Sequence, residues 1–406
     1  MFKLALRNII RQKIHSTMTL AAVITGVIGI VLAGGWVNDV YIKLGEALIY
    51  SQSGHLQIYK SGYFETGRRS PEKYLINNPD ELAQKTRNET GVEKFYSTMA
   101  RLNFSGLLNN GRSDLSIVGE GVQPDKEAQL GTHMMLTAGR QLTDADAFGV
   151  MLGKGVAKAL QLTPGDHVTL MANTLDGALN SLDLVVVGVF QSFSNDYDAR
   201  AIRIPLAAAQ ALLDTQSVNA IVVTLKHTRD TDPIATLLTE RFDKDGLEVR
   251  TWVELNDFYE KTVELYKGQF GVLQIIILMM VALGVANSIN MSIFERTGEF
   301  GTMLALGNRS GQVFNLIFCE SLLLGLIGSG CGVLCGVVLA LIISAVGIPM
   351  PPPPNADIGY IAQIQIVPSV LVLAFAVGLL ATILAAVLPA RQVSRTNIVD
   401  ALRQNI

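Results

Sequence analysis

Apolar residues in this chain are gathered into four long blocks separated by polar sequence. Ser16–Asn38, Gly268–Phe294, Ser321–Ala356 and Ile358–Ala390 contain no Asp, Glu, Lys or Arg, and each exceeds the roughly 20 residues a helix needs to cross a bilayer. The pattern predicts four transmembrane helices, at 16–38, 268–294, 313–347 and 367–390. The first block is too long for the h-region of a cleaved signal peptide, about 7 to 15 residues, and is read as a retained span. Ahead of it, Phe2, Ala5, Leu6, Ile9 and Ile10 share one helical face and Lys3, Arg7, Arg11 and Lys13 lie largely on the other. Residues 1–15 therefore read as an amphipathic helix lying in the membrane interface.

Composition strengthens this picture. Of the 406 residues, 49% are hydrophobic and only 17% charged, whereas soluble domains carry about 25% charged residues. A soluble enzyme and a secreted disulfide scaffold are excluded, and a net charge of −3 excludes a nucleic-acid partner. Bases stay on the cytoplasmic side. Four precede the first span without an acid, while Arg391, Arg395 and Arg403 follow the last against Asp400 alone. Both termini are expected in the cytoplasm, with 391–406 as a tail, 295–310 as a cytoplasmic connection and 348–366 as a short outer loop. Residues 39–267, with 23 bases, 30 acids and a net of −7, form the outer domain.

That domain alternates strand-like stretches (His55–Tyr59, Leu115–Val118, Leu182–Phe190, Ala220–Leu225, Leu247–Trp252) with helical ones (Asp80–Glu89, Gly153–Gln161, Pro205–Asp214, Pro233–Phe242). Strand, helix, strand recurs near both ends. The expected architecture is a membrane α-helical protein plus a large α+β extracytoplasmic domain, whose flanking halves pair around an inserted, mostly-β module at about 112–204. From Val253 the sequence runs without Pro into the second span, predicting one continuous stalk helix across the membrane.

Catalytic chemistry is not legible. Gly153-Lys154 is followed by Gly155, where a phosphate loop needs Ser or Thr. The five histidines are scattered, and Cys319, Cys331 and Cys335 all fall in the third span, without His or acid at ligand spacing. No metal, nucleophile or cofactor is expected on this chain. Within the third span, Gly328, Gly332 and Gly336 clear one face for close helix packing, expected against the second or fourth span. Glu320 is costly in a span, about 3 kcal/mol at a helix centre and less near an end, and is expected to be tied to Asn287, Asn290 or a basic residue of the N-terminal helix.

Between spans two and three stands Glu295-Arg296-Thr297-Gly298-Glu299-Phe300-Gly301-Thr302-Met303-Leu304-Ala305-Leu306-Gly307-Asn308-Arg309, amphipathic enough for a short helix along the membrane. This run resembles the signature of the FtsX/MacB-like ABC permease superfamily. So do L-A-L-R-N-I-I-R at 4–11, L-G-K-G-V-A-K-A-L-Q-L-T-P-G-D-H-V-T-L at 152–170 and P-A-R-Q-V-S-R-T-N-I-V-D-A-L-R at 389–403. S-G-H-L-Q-I-Y-K-S-G-Y-F at 53–64 is most similar to the lipoprotein-releasing (LolC/LolE-like) branch. Asn397-Ile398 where the family usually has Pro, and Met303 in place of Leu, are departures that leave the topology intact. The resemblance implies a bacterial inner-membrane permease that binds no nucleotide itself. ATP and magnesium would sit on a cytoplasmic ABC ATPase dimer, and a second permease copy or paralogue would complete the assembly. The coupling element would comprise Glu295, Arg296, Glu299, Phe300, Gly301, Met303, Leu304, Leu306 and Gly307, with the charged residues fixing its pose and the apolar ones meeting the ATPase.

The outer ends of spans one and two stay apolar beyond the expected bilayer edge. Trp36, Tyr41, Leu44 and Leu48 on one and Tyr266, Phe270 and Leu273 on the other are expected to be exposed and to line a cleft for membrane lipid or lipoprotein. Two function classes follow: release of lipoprotein or another amphiphile, or export of peptides or drugs as in MacB-like members, against signalling to an extracytoplasmic partner such as a cell-wall hydrolase. The size of the outer domain favours transport.

The base asymmetry generates a direct test. In a variant lacking the native cysteines, Cys placed at Ser61 or Asp176 should react with an impermeant thiol reagent in intact cells, and Cys at Asn308 should react only after lysis. Labelling at 308 in intact cells would overturn the orientation.

Overall fold

The computed structural model describes residues 2–67, 74–91, 93–130, 134–192, 194–351 and 359–394; the expected tail at 391–406 lies almost wholly outside them. The chain divides into two compact units, one of residues 1–42, 262–350 and 360–406, the other of residues 43–261 and 351–359.

The first unit is helical. After the helix Phe2–Arg11 come four helices long and apolar enough to cross a membrane: Lys13–Leu48, Asp257–Glu295, Ser310–Val346 and Pro368–Ser394. The first continues as a π-helical turn, Ile49–Ser53. It ends at Gly54, whose φ of 63° and whose approach to Val222 leave no room for a Cβ. The second starts at Asp257, four residues later than its composition suggests. Thr251 and Glu254 form a reciprocal capping box around a separate turn, Trp252–Leu255, and Asn256 leaves the helical region. Between the third and fourth helices, Ile348–Met350 and Tyr360–Ala362 pair as a small hairpin. Asp39, fully buried, accepts from the Gln363 N–H and from Gln365 Nε2, both at 2.8 Å, and so ties the first helix to this loop.

The glycine face of the third helix is an internal seam, but its partner is the first helix rather than the second or fourth. A Cβ on Gly328 would stand 3.0 Å from Val23, on Gly332 2.7 Å from Val27 and on Gly336 3.0 Å from Val31. The i, i+4 spacing on both sides lets β-branched valines seat into the gaps of the opposite helix.

The outer unit is built on strands β1 (Leu56–Lys60), β2 (Phe95–Asn109), β3 (Asp114–Val122), β4 (Met135–Gly139), β5 (Gly149–Gly153), β6 (His167–Asn173), β7 (Leu179–Gln191), β8 (Ala201–Pro205), β9 (Ala220–Leu225) and β10 (Leu247–Thr251). One half is a split βαβ arrangement. Strands run in the order β10-β1-β9-β2, all antiparallel, with helices Pro79–Thr90 and Thr231–Phe242 covering one face. Leu82, Ile234, Leu238 and Phe242 meet Leu56, Ile58, Ile221 and Val223 there. The other half is the module inserted between β2 and β9. Its pairings β2-β3-β8-β5-β7-β6 return to β2, closing a six-stranded barrel packed with Leu108, Ile117, Leu152, Leu170, Leu184 and Ile202. The barrel does not start at 112, as its turn chemistry suggests: β2 is 15 residues long, its first half pairing β9 and its second half β3 and β6. A single strand belongs to both halves, so no linker separates them.

The valine–glycine seam makes a stability prediction. Gly332→Leu should overpack against Val27 and cost about 1–3 kcal/mol, lowering the Tm of the purified chain in detergent. Gly330→Leu, where nothing lies within 4 Å of a Cβ, should leave Tm unchanged.

Candidate functional site

The connection between the second and third long helices folds as a short helix, Thr297–Ala305. Arg296 interrupts the second helix with φ −105° and ψ 11°, redirecting the chain. The far end is closed by a Schellman motif: the Asn308 N–H donates to the Met303 carbonyl at 3.1 Å and the Gly307 N–H to Leu304 at 3.1 Å, with Gly307 at φ 92°.

What fixes its pose is a polar knot. Arg296, 6% exposed, donates from Nη1 to Glu320 at 2.9 Å and from Nε to Glu299 at 3.2 Å. Its guanidinium lies 4.9 Å from the centroid of the Phe300 ring. Glu320 also accepts from Asn8 Nδ2 of the N-terminal helix at 2.6 Å. Further ties run the same way: Arg11 to Glu299 at 2.9 Å, His15 to Glu295 at 2.8 Å and Ser292 to Gln12 at 2.7 Å. Glu320 is thus paired, but neither with Asn287 and Asn290, which are exposed, nor with a base of the N-terminal helix. Arg296 serves because the break in the second helix carries its guanidinium inward.

The apolar residues of the element divide between two surfaces. Phe300, 2% exposed, is part of the membrane-unit core together with buried Gly298 and Gly301, and Met303 and Leu304 pack half-buried against that core. Phe300 is therefore withdrawn from the face expected to meet a partner, because its ring fills the space beneath Arg296. Leu306, 82% exposed, remains outward with Glu299, Thr302 and Ala305.

Residues expected to line a cleft also separate. Trp36, Tyr41 and Tyr266 cluster, the two rings each 6.5 Å from Tyr266 at steep angles, and the Tyr41 hydroxyl donates to the Val263 carbonyl. Phe270 is half-buried against Gly34, and Leu273 is exposed. Leu44 and Leu48 are not free surface. In the outer unit they are 4% and 5% exposed, packed with Ile49 and Trp252. Composition shows that such residues are apolar but not that an indole covers them. A wider apolar groove lies further along the first two helices, between Ala21, Ala22, Thr25, Gly26 and Gly29 on one and Ile277, Met280 and Val281 on the other.

Sequence reading missed a second charged group in the outer unit. Arg101 on β2 and Arg203 on β8, 3% and 2% exposed, face Glu120 on β3 and Glu127 on the helix Pro124–Leu130. Glu120 and Arg203 stand in register across the parallel β3–β8 pair, with Arg203 Nε to Glu120 at 3.0 Å, Arg203 Nη1 to Glu127 at 3.0 Å and Arg101 Nη2 to Glu127 at 2.8 Å. The remaining donors reach the last carbonyls of the first long helix: Arg101 to Gln52 at 2.5 Å and Arg203 to Ser51 at 3.0 Å. Carbonyls at a helix end lack intrahelical partners and carry the negative pole of the helix, so two guanidiniums suit them. Burial pushes the Glu120 carboxyl up, but Arg203 and Arg101 beside it more than reverse this and hold it below the usual range. Burial pushes the Tyr197 hydroxyl up and keeps it neutral against Arg203. The available signal was a base set inside each of two apolar runs, Met-Ala-Arg-Leu at 99–102 and Ala-Ile-Arg-Ile at 201–204.

The knot predicts a graded response. Glu320→Ala leaves buried Arg296 only the half-exposed Glu299 as a counter-charge and should cost up to about 3 kcal/mol, read as a fall in Tm of the purified chain. Glu320→Gln, which keeps an acceptor, should lose less, and Asn290→Ala should lose nothing.

Two family descriptions match this chain. "MacB-like periplasmic core domain" covers residues 16–241 and "FtsX-like permease C-terminal" covers 271–398. Among curated relatives, an uncharacterized ABC transporter permease of Methanocaldococcus jannaschii is 26% identical over 65% of this chain and 64% of its own. The lipoprotein-releasing system transmembrane protein LolC of Neisseria meningitidis serogroup B is 24% identical over 65% of this chain and 66% of its own. The macrolide export ATP-binding/permease protein MacB of Rhodospirillum rubrum is 27% identical over 64% of this chain and 38% of its own. The match spans less than two thirds of the length of each of these relatives.

Proposed function

We propose, from the premise that the chain belongs to the MacB-like periplasmic core domain family and carries an FtsX-like permease C-terminal domain, that it is the membrane subunit of an ABC transporter. A separate cytoplasmic ATPase dimer, holding ATP and magnesium, would drive it, with a second permease copy or paralogue beside it. The observation that carries this reading is the helix Thr297–Ala305. It is locked into the membrane unit through Arg296, Glu320 and Phe300, yet turns Glu299, Thr302, Ala305 and Leu306 outward. A rigid mount with a solvated contact face is what force transfer from another protein requires.

From this mount the second long helix runs unbroken from Glu295 to Asp257, while the first runs from Lys13 to a π-helical end gripped by Arg101 and Arg203. Displacement at the short helix would travel along one and be delivered to the barrel strands through the other. The work is most simply the extraction or release of lipoprotein or another amphiphile at the outer face of the inner membrane. The resemblance to LolC, the aromatic cluster of Trp36, Tyr41 and Tyr266 and the apolar groove along the first two helices support that choice over signalling to a cell-wall hydrolase or export of a polar peptide.

Leu306 gives the discriminating variant. Leu304 is half-buried and its substitution would disturb folding, whereas Leu306 is exposed in the chain itself. Leu306→Asp should leave Tm unchanged and weaken assembly with the ATPase by roughly tenfold or more, because a charge would be buried unpaired at the contact. Normal assembly and full cargo-stimulated ATP hydrolysis by this variant would sink the coupling assignment.

A further inference from the structure

The N-terminal helix Phe2–Arg11 does more than pack. Ala5 is fully buried and Ile9 half-buried against the membrane-unit core, and Asn8 reaches Glu320. On an adjoining flank Leu6 and Ile10, one turn apart, are 43% and 64% exposed. Arg7 and Arg11, also one turn apart, are exposed on the side away from the core. Arg7 has no partner among the described residues, and Arg11 spends one nitrogen on Glu299 while its side chain stays 74% exposed. A single residue, Gln12, separates this helix from the first membrane-crossing helix, so its place is the membrane surface. An apolar flank bordered by outward bases is the chemistry of a helix seated between acyl chains and headgroups.

We infer that Arg7 and Arg11, above the Leu6–Ile10 flank, form a binding site for the headgroup phosphates of anionic phospholipids, and that this lipid competes with Glu299 for Arg11. An exposed ion pair such as Arg11–Glu299 is weak, and an anionic leaflet favours each nearby base by roughly fivefold, so the exchange of partners is close to balanced. Since Glu299 belongs to the coupling element and also binds Arg296, the charge of the inner leaflet would set how tightly the N-terminal helix holds that element.

The test uses the full chain alone and is independent of the transport reading. Hydrogen exchange of peptides covering residues 4–14 would be compared in nanodiscs of phosphatidylcholine and of phosphatidylcholine mixed with phosphatidylglycerol. Exchange should slow by about fivefold or more in the anionic nanodiscs, and high salt or the pair Arg7→Gln with Arg11→Gln should abolish the difference. Peptides from the third long helix, unchanged throughout, would certify folding. Glu299→Gln, which removes the competitor, should enlarge the lipid effect. Equal exchange in the two compositions overturns the proposal. So does slowing in the anionic nanodiscs that persists in high salt and in the Arg7→Gln, Arg11→Gln pair, which would make the contact apolar rather than one of bases with phosphates.

Discussion

A polar group inside a membrane helix bundle has no water to turn to, and this governs where the chain bends, ends and holds together. Three places where a long helix stops, two in the membrane unit and one in the outer unit, are furnished with a partner from elsewhere in the sequence. Asp39 takes the loop after the third helix, Glu320 takes both Arg296 and Asn8, and the last carbonyls of the first helix take two buried arginines. These contacts link residues from 24 to 326 positions apart. They make the helix ends, rather than the helix middles, the points at which geometry is specified.

The same economy bears on the force transfer proposed above. The helix middles meet one another through small and β-branched residues, as in the Gly328, Gly332 and Gly336 seam on Val23, Val27 and Val31. Such faces slide or tilt with little electrostatic penalty. The ends resist, since separating Arg296 from Glu320 or Arg203 from Glu120 leaves a buried charge with one remaining partner, Glu299 or Glu127, at up to about 3 kcal/mol each. In the transporter reading proposed above, stiff joints of this kind would hand a displacement from one helix to the next.

Much of this is legible in the order of the residues. Charge-free runs mark the four long helices because desolvation is decided by composition, and Gly307 marks the stop of the short helix because it tolerates a left-handed backbone. Strands β7 and β9 follow from their β-branched runs, and β1 and β10 from alternating apolar and polar residues. What escapes is whatever depends on how side chains meet in three dimensions. Leu44 and Leu48 look like free apolar surface until Trp252 covers them. Phe300 looks like a contact residue until Arg296 closes over it. The start of the second helix at Asp257 depends on a capping box a few residues earlier. Arg101 and Arg203 are ordinary bases until the β3–β8 register brings Glu120 opposite one of them.

The closed barrel has a bearing on how the chain is made. In the split βαβ half, Leu56 must find Thr251 and Val223, partners synthesised long after it, and closing so long a loop is slow. The barrel, however, finds all its strands between residues 95 and 205 and can close as soon as that segment emerges. Once closed, it carries β2 already extended and paired, and holds the chain leading to β9 near the strand it must join. The intervening stretch then counts as one rigid body instead of a random coil, so the insertion shortens the search it would otherwise lengthen. Nascent chains halted once residue 205 has cleared the ribosome should already hold a protease-resistant core, while residues 56–60 wait for β9 and β10 to arrive.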